Sequence, residues 1–177
     1  NDLAPMDLFK GIFPVKPLPI AAIPTTAGTG SEVTPYAVIT RKDAQTKLSF
    51  GNEHLFPRVA FLDAKYTEKL PRHIAIDTAV DAFAHAAEGY LSKRSTPMSD
   101  FIAEEAMRVF GRQKNNLLEE ILDYDAREQL LHMAMLAGIV ISQTGTTAPH
   151  ALGYNLTFFK DVSHGRASGL LMGEYLE

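Results

Sequence analysis

The hydrophobic pattern of the chain changes its period at Leu70-Pro71, and this change limits the folds that the chain can adopt. Before this point, short apolar runs alternate with turn residues, which is typical of strands. After it, apolar residues recur at every third or fourth position, and Pro71 suits the first turn of a helix. The sequence therefore predicts a strand-rich part over residues 1–70 and an all-helical part over 71–177.

The same patterns predict the individual elements. Strands are predicted over residues 18–23, 36–40, 47–50 and 59–63, the first of them buried and leading into a loop. Helices are predicted over about 20 residues from Pro71, then over 101–110, 115–122 and 127–141, the last of these ending at Gly145, and finally from Gly165 onward. Four strands with open edges bury little apolar surface by themselves, so we expect them to complete a larger sheet.

Composition excludes several classes of protein. Seventeen Lys and Arg residues against 21 Asp and Glu residues leave a formal charge of −4, without the basic surplus of a nucleic-acid-binding protein. No apolar run reaches the roughly 18 residues of a membrane-spanning helix, and the first residues lack a secretory signal. We therefore expect a cytoplasmic protein with no nucleic-acid or membrane partner. Because the chain has no Cys, any metal ion must use His and carboxylate ligands.

Asp81 and His85 are four residues apart on a predicted helix, so their side chains share one face. This spacing can hold a metal ion, although most such pairs are ordinary helix-surface pairs. His150 and His164 flank the predicted break before the last helix, and they would complete a set of three imidazoles and one carboxylate that suits Fe(II) or Zn. The other three histidines lack a carboxylate at ligand spacing and are interpreted as surface or core residues: His54, His73 and His132.

A loop of small and hydroxyl-bearing residues, T-T-A-G-T-G-S-E over 25–32, follows the first predicted strand. Such a loop lets the backbone approach phosphates or a ribose closely. It lacks both the G-x-G-x-x-G order and the P-loop lysine, so a tight structural turn is the alternative interpretation.

Taken together, three motifs resemble the iron-containing (group III) alcohol dehydrogenase family. They are I-P-T-T-A-G-T-G-S-E-V-T at 23–34, D-A-x-x-H-A-x-E-x-Y at 81–90, and a His at 150 followed fourteen residues later by H-G. The resemblance implies a dehydroquinate synthase-like fold. In that fold, residues 1–70 are the α/β strand-rich remainder of a dinucleotide-binding domain and residues 71–177 an all-α metal-binding helical domain. The family's glycine-rich phosphate turn and its later helices have no counterpart here, so we expect a central fragment.

The resemblance also implies a function: hydride transfer between NAD or NADP and a small alcohol or aldehyde, with Fe(2+) or Zn(2+) as the metal. The implied metal ligands are Asp81, His85, His150 and His164, and the implied cofactor contacts are Thr25, Thr26, Thr34, Tyr36, Lys47 and, from a less distinctive motif, Tyr66. Tyr154 stands where many members have a second His, and a phenol can form a hydrogen bond but cannot relay a proton near neutral pH as an imidazole does. We expect a homo-oligomer, because the incomplete sheet leaves its edges open.

Two alternatives remain open at this point. A metal-binding helical module without turnover of its own would account for the missing phosphate turn. A zinc enzyme resembling glycerol dehydrogenase or dehydroquinate synthase would share the fold, but the motifs at 25–32 and 81–88 fit the alcohol dehydrogenases better.

Overall fold

The structure is a computed structural model that describes residues 5–10, 16–119 and 122–177. Its strands are β1 (Ala21–Ala22), β2 (Tyr36–Arg41), β3 (Thr46–Gly51) and β4 (Val59–Ala60). Its α-helices are α1 (Arg72–Tyr90), α2 (Pro97–Leu118), α3 (Tyr124–Thr144), α4 (Ala148–Lys160) and α5 (His164–Leu176). Short 3-10 helices cover Pro5–Lys10, Ser31–Val33, Glu53–Leu55 and Ala64–Thr67. The order of strands followed by helices confirms the predicted fold class, whereas a domain boundary at residue 70 stays a prediction.

The strands form two small sheets. β1 pairs in parallel with β4, with Ala21 opposite Val59, and β2 pairs with β3 as an antiparallel hairpin, with Tyr36 opposite Gly51. The prediction of a buried strand over 18–23 is wrong, since only two of those residues are in the strand and Ala21 is exposed. The physical reason is that β1 belongs to a sheet of only two strands among the described residues, because β4 is the one strand that pairs with it.

The helices pack around α1, which contacts α2, α3 and α5, while α4 lies against α5. Alanines supply much of the shared core, including Ala79, Ala82 and Ala86 on α1 and Ala134 and Ala137 on α3. Such small side chains let helix backbones approach closely. As predicted, α3 ends before Gly145, whose φ of 70° suits glycine.

Two helix predictions are corrected. The separate helix over 115–122 is wrong, because α2 runs unbroken to Leu118; residues 120 and 121 of that prediction lie outside the described ranges. Leu117 falls on the same face of α2 as Ala106 and Phe110. The apolar stripe on that face therefore continues past residues 111–116, although those residues are mostly polar. The predicted break after Gly145 is instead largely helix α4, whose Pro149 lies in the first turn, where no backbone donor is needed.

In the part of the chain that the structure describes, no single helix is long and apolar enough to cross a membrane. Helices α3 and α4 meet that criterion only as a pair, and the chain bends by 109° between them.

Candidate metal centre

One face of α1 carries a stripe of buried ionisable side chains. Its members follow one another at intervals of four, four and three residues, which brings them to the same side of successive turns: Asp77, Asp81, His85 and Glu88. Asp81 is 2% exposed and Glu88 is 0% exposed. Buried polar groups are stable only when they are partnered, so this stripe must meet partners from neighbouring elements.

Two histidines from other helices meet the stripe at Asp81. His150 lies in the first turn of α4, and its Nε2 is 3.4 Å from Asp81 Oδ1. His164 is the first residue of α5, and its Nε2 is 3.6 Å from the same oxygen. One nitrogen or oxygen from each of the three residues lies within 4.8 Å of the others. This group could therefore hold one metal ion.

His85 lies beside this group. Its ring stacks on that of His150, with 4.4 Å between ring centroids and 19° between ring planes. Three buried atoms of the cluster have no hydrogen-bond partner among the described residues: Asp81 Oδ1, His85 Nδ1 and His150 Nε2. Leaving such atoms unpaired is costly, and a divalent cation held by the group of three would satisfy Asp81 Oδ1 and His150 Nε2 as ligands. The residues present therefore fit a metal ion. His85 is not part of that group of three, so its role as a ligand stays a prediction.

The charges of the cluster agree with this fit. Burial by itself would raise the pKa of Asp81, but the imidazoles of His85, His150 and His164 outweigh burial and lower it to about 2. Burial lowers the pKa of His85 to about 4. It would also lower the pKa of His150, but the carboxylates of Asp81 and Glu88 raise that pKa to about 9. Without a metal, the His150 ring is thus positively charged, with Asp81 near one ring nitrogen and Glu88 at the other, and a bound cation would replace that positive charge.

A cleft of about 650 Å³ opens beside the cluster. Its walls include all four predicted metal ligands and three of the six predicted cofactor residues, which are Thr34, Tyr36 and Lys47. Tyr154 and Arg94 also line the cleft, and the Tyr154 ring stacks on His164 with 5.7 Å between centroids. The other three predicted cofactor residues, Thr25, Thr26 and Tyr66, are not among the residues that line the cleft, and their role stays a prediction. His54, His73 and His132 are exposed.

Two glycines of the 25–32 loop are explained by packing. A Cβ on Gly28 would lie 2.7 Å from the Thr78 Cβ on α1, and a Cβ on Gly30 would lie 2.5 Å from the Gly138 Cα on α3. Gly30 also has a φ of 57°. Close approach of the loop to the helices therefore requires glycine at both positions, whatever the loop binds.

Sequence reasoning missed the outer members of the α1 stripe. Asp77 accepts a hydrogen bond from Ser163 Oγ and lies 3.4 Å from Arg166 Nε, so it holds the chain on both sides of His164. Glu88 contacts His150. One sequence signal could have revealed Asp77 and Glu88. Ionisable residues recur every three or four positions along a helix whose other residues on the buried side are mainly alanine.

Comparison with known proteins identifies the class of protein. Residues 3–64 match the family model described as iron-containing alcohol dehydrogenase, and residues 75–177 match the model described as the C-terminal part of the Fe-containing alcohol dehydrogenase family. This chain belongs to the iron-containing alcohol dehydrogenase family, as the three motifs predicted.

Individual relatives agree with that assignment. The probable alcohol dehydrogenase EutG of Escherichia coli is 36% identical over 160 residues, which cover 90% of this chain and 40% of EutG. The crystal structure of an iron-containing alcohol dehydrogenase from Thermotoga maritima is 45% identical with a TM-score of 0.88, covering 97% of this chain and 46% of that one. The crystal structure of sulfoacetaldehyde reductase from Bifidobacterium kashiwanohense in complex with NAD+ is 34% identical with a TM-score of 0.84. The match covers 89% of this chain and 42% of the reductase chain. The chain thus spans less than half the length of these relatives.

Proposed function

We propose that this chain is the metal-binding and nicotinamide-facing part of a dehydrogenase that transfers a hydride between NAD or NADP and a small alcohol or aldehyde. The observation that carries the proposal is the convergence of Asp81, His150 and His164 on one point at the wall of a cleft. The unpaired buried atoms of that cluster support metal binding there.

Asp81, His85, His150 and His164 would hold the ion. A divalent cation such as Fe(2+) or Zn(2+), when bound, supplies a Lewis acid that polarises the oxygen of the alcohol or carbonyl substrate. Asp81 contributes the one negative charge, and the imidazoles are neutral donors. Because the set contains no thiolate, it disfavours metals that prefer soft ligands.

Two further cleft residues have roles that follow from their chemistry. Lys47 is a half-buried cation on β3, so it suits a phosphate or ribose oxygen of the cofactor. Burial and the nearby Asp81 and Glu88 carboxylates raise the pKa of Tyr154. Its hydroxyl therefore stays protonated at neutral pH, where it can donate a hydrogen bond to a substrate oxygen but cannot accept a proton as a base.

The NAD+ in the structure of the sulfoacetaldehyde reductase supports a nicotinamide cofactor for this protein, since 89% of the present chain aligns with that structure. The hydride itself would travel between the cofactor and the substrate carbon, and the protein would supply binding and orientation. No side-chain nucleophile is required.

The test uses the full-length protein that contains this chain, purified without oxygen so that ferrous iron survives. Elemental analysis should find about one metal ion per chain. Addition of NAD(H) or NADP(H) with a panel of short alcohols and aldehydes should give activity that a chelator removes. Protein that holds metal but shows no activity with any pair would contradict the reaction, and protein without metal between pH 6 and 8 would contradict the site.

A further inference from the structure

Glu88 is fully buried on α1, two turns beyond Asp81, and it is not among the residues that line the cleft. Three hydrogen bonds reach its carboxylate from α4 and the residue before it. His150 Nδ1 meets Oε1, whereas the backbone N–H and the hydroxyl of Thr147 both donate to Oε2, the hydroxyl at 2.8 Å. Both oxygens of one carboxylate are thus committed to the element that carries His150.

The two bonds from Thr147 require a group at the Oε2 position that only accepts hydrogen bonds. The Thr147 backbone N–H can only donate, and the Thr147 hydroxyl gives its one proton to Glu88. The Tyr175 hydroxyl, 2.9 Å from the Thr147 hydroxyl, must then donate to it. The network runs from α5 through Thr147 to Glu88 on α1, so it fixes the start of α4 from two sides.

From this arrangement we infer that Glu88 is a positioning residue, which holds the proton of neutral His150 on Nδ1 and turns Nε2 toward Asp81 as a metal ligand. The inference rests on the metal site proposed above. The hydrogen bond at one ring nitrogen determines which nitrogen is free to bind a metal. Nε2 is buried without a hydrogen-bond partner among the described residues and faces Asp81 Oδ1 at 3.4 Å, so it is the ring nitrogen directed toward the proposed metal position.

Glu88→Gln keeps the size of the side chain but replaces one of its two acceptor oxygens with an NH2 group, which donates hydrogen bonds. If the amide NH2 replaces Oε1, it faces His150 Nδ1 and favours the tautomer whose Nε2 carries the proton. If it replaces Oε2, it faces the Thr147 backbone N–H, which cannot accept a hydrogen bond. The first orientation changes the tautomer of His150, and the second breaks the hydrogen bond from Thr147 that fixes the start of α4, three residues before His150. A side chain that only filled space would tolerate the change.

The experiment compares full-length wild-type protein with E88Q by two readouts. Titration of the metal-free protein with Co(2+) alone, followed by visible absorbance, should show about a 10- to 100-fold weaker affinity in E88Q, the range expected for the loss of such a partner. In the Zn(2+)-loaded protein with 15N-labelled His, the wild type should show a protected Nδ1–H resonance for His150, and E88Q should lose or shift it. The thermal unfolding midpoint of the metal-free E88Q protein should show that it is folded.

Asp77→Asn is the matched control. It alters another buried carboxylate of the same helix, whose partners are Ser163 and Arg166 and not an imidazole. The Nδ1–H resonance of His150 should be unchanged in this variant. Wild-type affinity in E88Q, or loss of the resonance in both variants, would overturn the role of Glu88 while leaving the metal site intact. Failure of the wild type itself to bind Co(2+) or Zn(2+) would overturn the proposed metal site and, with it, this inference.

Discussion

Helices α1 to α3 and the strand-rich part before them bury their apolar side chains very differently. Helices α1, α2 and α3 share a core in which most members are less than 5% exposed. In the strand-rich part, large apolar side chains are exposed at Leu18, Ile20, Ile23, Val38, Ile39, Leu48, Phe56, Val59, Phe61 and Leu62. All four predicted metal ligands lie on the helices, whereas Thr34, Tyr36 and Lys47 lie on or beside the β2–β3 hairpin. If the proposed roles are correct, metal binding depends on the helices and cofactor binding on the hairpin, and the two should respond separately to mutation.

The largest expected effect is loss of the metal. His85→Ala and His164→Ala each remove an imidazole from the cluster, and we expect metal affinity to fall by more than about 100-fold, beyond the effect of losing an outer partner. Cofactor affinity, measured by titration with NADH, should change far less. His132→Ala is the control, because His132 is exposed on α3. Equal metal retention in all three variants would refute the ligand assignment.

The next effect concerns the contact between α5 and α1. A Cβ on Gly165 would lie 1.8 Å from the Asp77 carbonyl oxygen, so Gly165→Ala must push α5 away from α1. We expect a loss of about 1–3 kcal/mol in the free energy of unfolding, measured with urea. Gly173→Ala on the same helix has no atom within 4 Å of the added Cβ and should leave stability unchanged or slightly higher. A similar result for both variants would contradict the close packing.

Lys47→Ala tests whether the β2–β3 hairpin supports cofactor binding. Removing one charge-assisted contact should weaken NADH binding by about 10-fold, corresponding to the lower end of such hydrogen bonds. Metal content should stay at the wild-type level. Lys42→Ala, in the exposed turn of the same hairpin, should alter neither quantity. Loss of metal in the Lys47 variant would break the proposed separation.

The smallest effect is expected at Glu32, in the loop that packs on α3. Burial raises the pKa of Glu32 in the folded protein above its unfolded value of 4.5. The unfolded chain therefore ionises first as the pH rises above 4.5, which costs the folded state stability. Glu32→Gln should remove that cost and increase stability at pH 7 by no more than about 1 kcal/mol, with no difference below pH 4.5. Glu53→Gln, which alters an exposed carboxylate, should show no such pH-dependent gain.

Local sequence rules predicted the elements that have strong local signals. The apolar period located α1 and α3, and Gly145 correctly marked the end of α3. The missed helix α4 contains Pro149 and Gly153, residues that interrupt helices in general but are tolerated here because of their positions. The spacing of Asp81 and His85 could suggest a ligand pair, but the approach of His150 and His164 depends on contacts between helices distant in sequence. Those contacts also explain why the partners of Asp77 and Glu88 were invisible to sequence reasoning.

The hydrogen bond from Ser163 to Asp77 joins residues 86 positions apart, and this has a consequence for the order in which the protein is assembled. During synthesis, α1 emerges from the ribosome long before α5, so its carboxylates remain hydrated while the intervening helices form. Closing such a long loop has an entropic cost that local helix formation does not have. The docking of α5 should therefore be a late step of folding, and the proposed metal site should reach its final shape only then.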